Sequence, residues 1–94
     1  MNEPLSPDAA TKLIKEIIRD GDVSRSDHFI EELAKDGLSI GDCLNVLRAG
    51  KVFEPADLER GTWRYRVHTN LICVVVAFRS DTELRLITTW RKRR

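Results

Sequence analysis

Apolar residues recur at helical spacing over the first fifty positions and at strand spacing afterwards. Three early segments each carry an apolar stripe that begins just after a serine and stops at a glycine. Serine side chains cap helix N-termini and glycine ends helices, so this pattern predicts three short helices. The first opens at Ser6 and stops at Gly21, the second runs from Ser26 to Gly37, and the third covers Ile40–Ala49.

The period changes to two after residue 50. Thr62–Thr69 alternates strictly between apolar and polar positions, which predicts a strand with two distinct faces. Leu71–Arg79 is almost wholly apolar, as a central strand covered on both faces would be. Leu84–Trp90 is predicted as a further strand, and Lys51–Glu54 as a short one. Because the connections are too short for parallel crossovers, we expect an antiparallel meander.

These elements predict one α+β domain over residues 1–94, with three N-terminal helices packed on a C-terminal antiparallel sheet of three to four strands. The longest apolar run, Leu71–Phe78, is much shorter than the about 20 residues of a membrane span. The N-terminus has no signal-peptide pattern. Cys43 and Cys73 match no zinc spacing and are expected to be reduced thiols. We therefore expect a cytoplasmic protein with no cofactor, no metal site and no membrane association.

Charge is sorted along the chain. Residues 1–60 carry eight Lys or Arg against thirteen Asp or Glu, whereas residues 61–94 carry eight against two. Seven of the eight cations in the second part are arginines, whose planar guanidinium matches a phosphate group. This asymmetry favours a polyanionic partner, above all nucleic acid.

The strongest candidate for chemistry is a row of cationic side chains on one face of the strand at 62–69. Arg64, Arg66 and His68 recur there at about 7 Å intervals, and Arg79 and Arg85 on the next two strands join the same face if the registers allow. The arginines would bind a phosphodiester, and the imidazole would exchange protons near neutral pH. The row is equally consistent with the solvated face of an amphipathic strand.

The remaining candidates lie in the second helix and at the C-terminus. His28 is either a second catalytic imidazole or a structural histidine. Trp90 is either a packed side chain or a platform on which a base stacks. Arg91 and Lys92 open a basic tail over residues 91–94, which either binds RNA phosphates or only keeps the chain in solution.

The run HFIEELAKDGLSIGDCLNVLRAGKV, followed by RYRV, an apolar strand and LITTW, resembles small toxins of the RelE/ParE superfamily, and within it the BrnT and MqsR-like branch. The resemblance covers residues 25–92 as a RelE-like core, and the N-terminal helix of residues 1–21 lies outside it. It implies the toxin of a type II toxin–antitoxin pair, a metal-independent mRNA endoribonuclease neutralised by an antitoxin protein. By position, Arg64 and Arg66 would hold the phosphate, His68 or His28 would move protons, and Arg79 and Lys92 would add charge.

Two other functions remain open. Some members of that superfamily are not ribonucleases and act as gyrase poisons, so membership would not prove catalysis. The second and third helices also have the rhythm of a helix–turn–helix DNA-binding module, but Arg48 is the only cation on the would-be recognition helix. A non-catalytic interaction module whose basic sheet face contacts an acidic protein segment is the last alternative.

Overall fold

The computed structural model describes residues 1–93, which fold into three helices and six strands. All three predicted helices are present, and each begins as expected. The side chains of Ser6, Ser26 and Ser39 accept hydrogen bonds from the backbone N–H three residues further on. The elements are, in chain order, α1 (Pro7–Asp20), β1 (Asp22–Arg25), α2 (Asp27–Lys35), α3 (Ile40–Ala49), β2 (Lys51–Val52), β3 (Asp57–Glu59), β4 (Thr62–His68), β5 (Ile72–Ser80) and β6 (Glu83–Arg91).

The strands form one mixed sheet in the order β1-β6-β5-β4-β2, with β3 paired to β4. The α+β class is confirmed, but the expected antiparallel sheet of three to four strands needs correction. β1 runs parallel to β6, from Asp22 beside Glu83 to Arg25 beside Leu86. The rule that short connections give antiparallel pairs applies only to strands that follow each other in the chain. β1 and β6 are separated in the chain by six other elements, so the rule does not constrain them.

Two of the six strands were missed because they carry weak sequence signals. β1 is only four residues long and mostly exposed, and β3 is exposed at all three positions. Both strands therefore lack the buried alternation on which strand prediction depends. Each is held in place by pairing with a longer strand. β1 pairs with β6, and β3 pairs with β4.

The hydrophobic core lies between the helices and one face of the sheet. Tyr65 and Val67 on β4 and Val74 and Val76 on β5 point into it, together with Phe29 of α2. β5 is central, as predicted, and is buried at every position from 73 to 78. On the opposite face, Cys73 of β5 lies between His68 of β4 and Trp90 of β6. None of the helices in residues 1–93 is long and apolar enough to cross a membrane.

Candidate functional site

The strand alternation predicted for β4 is confirmed, and it places Arg64, Arg66 and His68 on the face opposite Tyr65 and Val67. Directly opposite residues of antiparallel neighbours share a face. We call this side of the sheet the open face. Its members on β4, β5 and β6 include Arg64, Arg66, His68, Cys73, Val75, Ala77, Arg85, Thr88 and Trp90.

Each member of the cationic row has an acidic partner. Arg64 Nη1 lies 2.9 Å from Glu59 Oε2, and the two side chains are 29% and 59% exposed. Arg66 donates to Asp57 and also lies 3.6 Å from Glu54 Oε2. The three carboxylates come from the stretch between β2 and the end of β3, which we call the acidic segment and define by Glu54, Asp57 and Glu59. The row is thus assembled on one face, but its charge is largely balanced within the domain.

Sequence reasoning missed the acidic segment, although part of it was readable. Arg60 and Gly61 both have positive φ, at 50° and 79°, and form a two-residue hairpin turn between β3 and β4. The hairpin sets Asp57 opposite Arg64 and Glu59 opposite Thr62, so both carboxylates share the face of the arginines. A glycine after Arg60, with carboxylates at alternating positions before it, is the signal that could have shown this.

His68 is held by the acidic segment. Glu54 accepts from His68 Nε2 at 2.8 Å and 3.0 Å through its two oxygens. His68 Nδ1 is buried without a partner among the described residues, and the side chain is 14% exposed. Burial disfavours ionisation of Glu54, but the hydrogen bond from His68 and the charges of His68 and Arg66 outweigh it and hold the pKa of Glu54 below its usual range. The imidazole is therefore fixed in place, with no free nitrogen facing solvent.

His28, in contrast, is exposed in the first turn of α2. The start of this helix is tied to β6, because the Ser26 N–H donates to Leu86 O and the Ser26 hydroxyl donates to Ile87 O. That attachment sets the first turn beside the sheet. His28 consequently lines a cleft of about 600 Å³ together with Glu59, Arg60 and Arg64. The structure thus adds His28 to the cleft beside Arg64, whereas His68 lies at the other end of the row beside Arg66 and Glu54.

Arg64 is the residue around which the clefts of the open face are arranged. Besides the cleft with His28, it lines one of about 150 Å³ with Arg66 and Thr88. A third, of about 430 Å³, contains Arg79 and Arg85 beside it. Arg64 Nε is buried and has no hydrogen-bond partner among the described residues. Arg64 therefore combines a buried donor that has no partner within residues 1–93 with a guanidinium that lines three clefts.

The residues predicted at the C-terminus are divided between the open face and structural contacts. Trp90 lies opposite Cys73 on the open face and is 39% exposed. The Arg91 guanidinium donates to Asp36 O and Gly37 O after α2, and Lys92 Nζ donates to Thr69 O at 2.7 Å. These bonds tie β6 to its surroundings. The last residue of the predicted basic tail, Arg94, lies outside the described residues.

Neither cysteine is exposed at the site. Cys43 and Cys73 are both buried and unpaired, and burial raises the pKa of the Cys73 thiol to about 11. Among residues 1–93, no three His, Cys, Asp or Glu side chains are grouped so that they could hold a metal ion. The charged and titratable side chains that the open face exposes are guanidinium, imidazole and carboxylate groups.

Residues 25–91 match the family described as a domain of unknown function, DUF4258. The chain belongs to the DUF4258 family. No curated protein and no solved structure matches it significantly. The family description assigns this DUF4258 domain no activity. The match also gives no evidence that the chain belongs to the RelE/ParE superfamily. The matched span runs from the end of β1 to the end of β6 and so includes every residue of the clefts around Arg64.

Proposed function

We propose that this DUF4258 domain binds RNA on the open face and cleaves it without a metal ion. One observation carries the proposal: His28, Glu59 and Arg64 line a single cleft. An imidazole, a carboxylate and a guanidinium are the groups needed to move two protons and stabilise the charge that develops on a phosphate.

The reaction that fits these groups is attack by the 2′-hydroxyl of the RNA on the adjacent phosphorus. Glu59 takes the proton from the 2′-oxygen as its bond to phosphorus forms, and His28 in its protonated form gives a proton to the departing 5′-oxygen as that bond breaks. Arg64 binds the non-bridging oxygens, on which negative charge increases. The products are a 2′,3′-cyclic phosphate and a free 5′-hydroxyl. DNA lacks the nucleophile and would bind without being cut.

His28 is preferred to His68 for the proton transfer because of their surroundings. His68 Nε2 is occupied by Glu54 and its Nδ1 is buried, whereas His28 is exposed in the cleft. His68 would instead hold Glu54, and with it Arg66, in position. The resemblance to RelE/ParE toxins over residues 25–92 supports the same reaction class and extends the proposal to a toxin that is neutralised by an antitoxin protein.

The test is cleavage of a labelled single-stranded RNA in EDTA by the purified protein, with DNA of the same sequence as the uncleavable control. Removing a proton-transfer group lowers rates by about 10²–10⁴-fold, so His28→Ala should lose that much activity. Arg64→Ala should lose about 10²–10³-fold, as when a donor to a developing oxyanion is removed.

His68→Asn is the matched variant, since it also removes an imidazole from the open face. It should retain most of the activity at temperatures where thermal unfolding shows it to be folded. Wild-type protein that leaves RNA intact, or a His28→Ala variant that cuts at the wild-type rate, would refute the proposed reaction. Loss of activity in His68→Asn but not in His28→Ala would indicate that His68, rather than His28, transfers the proton.

A further inference from the structure

We infer that Phe53 and Trp90 form a stacking site for unpaired bases at one end of the open face, so that the ligand is a single strand. This inference rests on the proposed RNA binding and adds the part of the ligand that the arginines do not recognise. Both side chains are large and apolar, yet they are 66% and 39% exposed. Neither is used by the proposed reaction.

The two aromatic side chains lie on either side of His68. The Phe53 ring centroid is 6.1 Å from that of His68, with the ring planes 35° apart. On the other side, His68 lies opposite Cys73, which in turn lies opposite Trp90. His68 and Trp90 are two strand spacings apart, a distance of about 10 Å. Cys73 between them is fully buried, so Phe53 and Trp90 are the exposed aromatic side chains at this end, where Leu71 of the β4–β5 turn is also 61% exposed.

The position of this pair relative to the arginines favours nucleic acid over an apolar protein segment. Arg66 is two residues before His68 on the same strand face, about 7 Å away. Lys92 follows Trp90 by two residues, and its ammonium group is at the β4–β5 turn. Exposed aromatic rings next to cationic side chains suit a chain that alternates flat bases with phosphates. A duplex buries the faces of its bases, so only a single strand would use both features.

The experiment measures binding by fluorescence anisotropy, with an uncleavable 2′-O-methyl RNA octamer and an abasic strand of the same length and charge. The wild type should bind the base-bearing strand at least about fivefold more tightly than the abasic strand. That ratio is about 1 kcal/mol, the lower end for one base stacked on one ring. Phe53→Leu and Trp90→Leu should each lose about fivefold or more on the base-bearing strand and remain unchanged on the abasic one.

Leu58→Ala is the matched control. Leu58 is 57% exposed and lies opposite Trp63, on the other face of the sheet, so its removal should leave both affinities unchanged. Trp63→Phe leaves Trp90 as the only tryptophan. Its emission should be quenched by the base-bearing strand and not by the abasic strand.

The outcomes separate this inference from the proposed function. Equal binding of the two strands by the wild type would overturn base stacking and leave phosphate binding intact. Binding of neither strand would overturn both. If Phe53→Leu and Trp90→Leu lose as much affinity for the abasic strand as for the base-bearing strand, the aromatic side chains only support the fold. If Phe53→Leu and Trp90→Leu bind RNA as the wild type does but no longer co-purify with a protein that the wild type retains, the surface belongs to a protein partner and the inference is overturned.

Discussion

Replacing Glu59 should change RNA binding and RNA cleavage in opposite directions. The Glu59 carboxylate is paired with Arg64 at 2.9 Å and lines the same cleft as His28. In the proposed reaction it accepts a proton, but before the reaction it competes with the phosphate for Arg64. Glu59→Gln keeps the size of the side chain and removes both the charge and the basicity. We therefore expect tighter binding and slower cleavage.

The size of the binding effect follows from the exposure of the pair. Arg64 and Glu59 are 29% and 59% exposed, and ion pairs in such positions contribute about 0.2–1 kcal/mol. A phosphate that displaces Glu59 must first break this ion pair and so loses its free energy. A phosphate that remains beside Glu59 at about 6 Å meets a repulsion of about 0.7 kcal/mol in water. Either route predicts that Glu59→Gln binds RNA about 1.4- to 5-fold more tightly at low salt.

Binding is measured by anisotropy with the uncleavable 2′-O-methyl strand, and cleavage with the corresponding RNA in EDTA. Cleavage by Glu59→Gln should decrease by about 10²-fold or more because a proton acceptor is lost. Glu16→Gln is the control, since Glu16 is exposed on α1 and lines a different cleft, so the same change in net charge should leave both measurements near wild type. An affinity gain of equal size in both variants would mean that only net charge matters. Weaker binding by Glu59→Gln would refute the competition for Arg64.

Three further predictions concern the fold that supports the site. The Tyr65 hydroxyl donates to Glu3 Oε2 and accepts from the Leu5 N–H, and burial raises the pKa of Tyr65 to about 12. Because this pKa is higher in the folded than in the unfolded state, the stabilisation is complete below pH about 10 and is lost as the pH rises through about 12. In urea unfolding, the wild type should lose about 2–3 kcal/mol more over this range than Tyr65→Phe does. Phe29→Ala should lower the free energy of unfolding by about 3–5 kcal/mol, since Phe29 is fully buried in the core. Ser39→Ala should lower it by about 0.5–2 kcal/mol, because Ser39 and Asp42 form a complete capping box at the start of α3; losses below about 0.3 kcal/mol in either variant would contradict these assignments.

Local signals were sufficient for most of the fold. The serine caps predicted all three helix starts, because a capping bond joins residues only three positions apart. The alternation along β4 predicted which of its side chains face the core, since successive residues of a strand point to opposite faces. The apolar run of β5 predicted a central strand. Each of these inferences depends on neighbouring residues alone.

The candidate site needed information that is not local. Whether His28 or His68 can reach a ligand depends on Glu54, which is fourteen residues before His68, and on the attachment of α2 to β6 through Ser26. Parallel pairing of β1 with β6 brings Ser26 to Leu86 and Ile87, about sixty residues away in the chain. No apolar pattern in β1 indicates that pairing. The row of Arg64, Arg66 and His68 was therefore predictable as a row, but its partners were not.

The charge asymmetry of the sequence has a different meaning once the fold is known. The carboxylates that pair with Arg64, Arg66 and His68 all precede residue 60, so the acidic part of the chain supplies the counter-ions of the basic part. A ligand therefore meets a face whose charge is mostly balanced, and net charge alone does not explain its binding. What distinguishes Arg64 is its position, because its side chain lines three clefts. Its Nε is also buried without a partner among the described residues. RNA binding on this face should consequently depend on Arg64 much more than on the number of arginines in the second half of the chain.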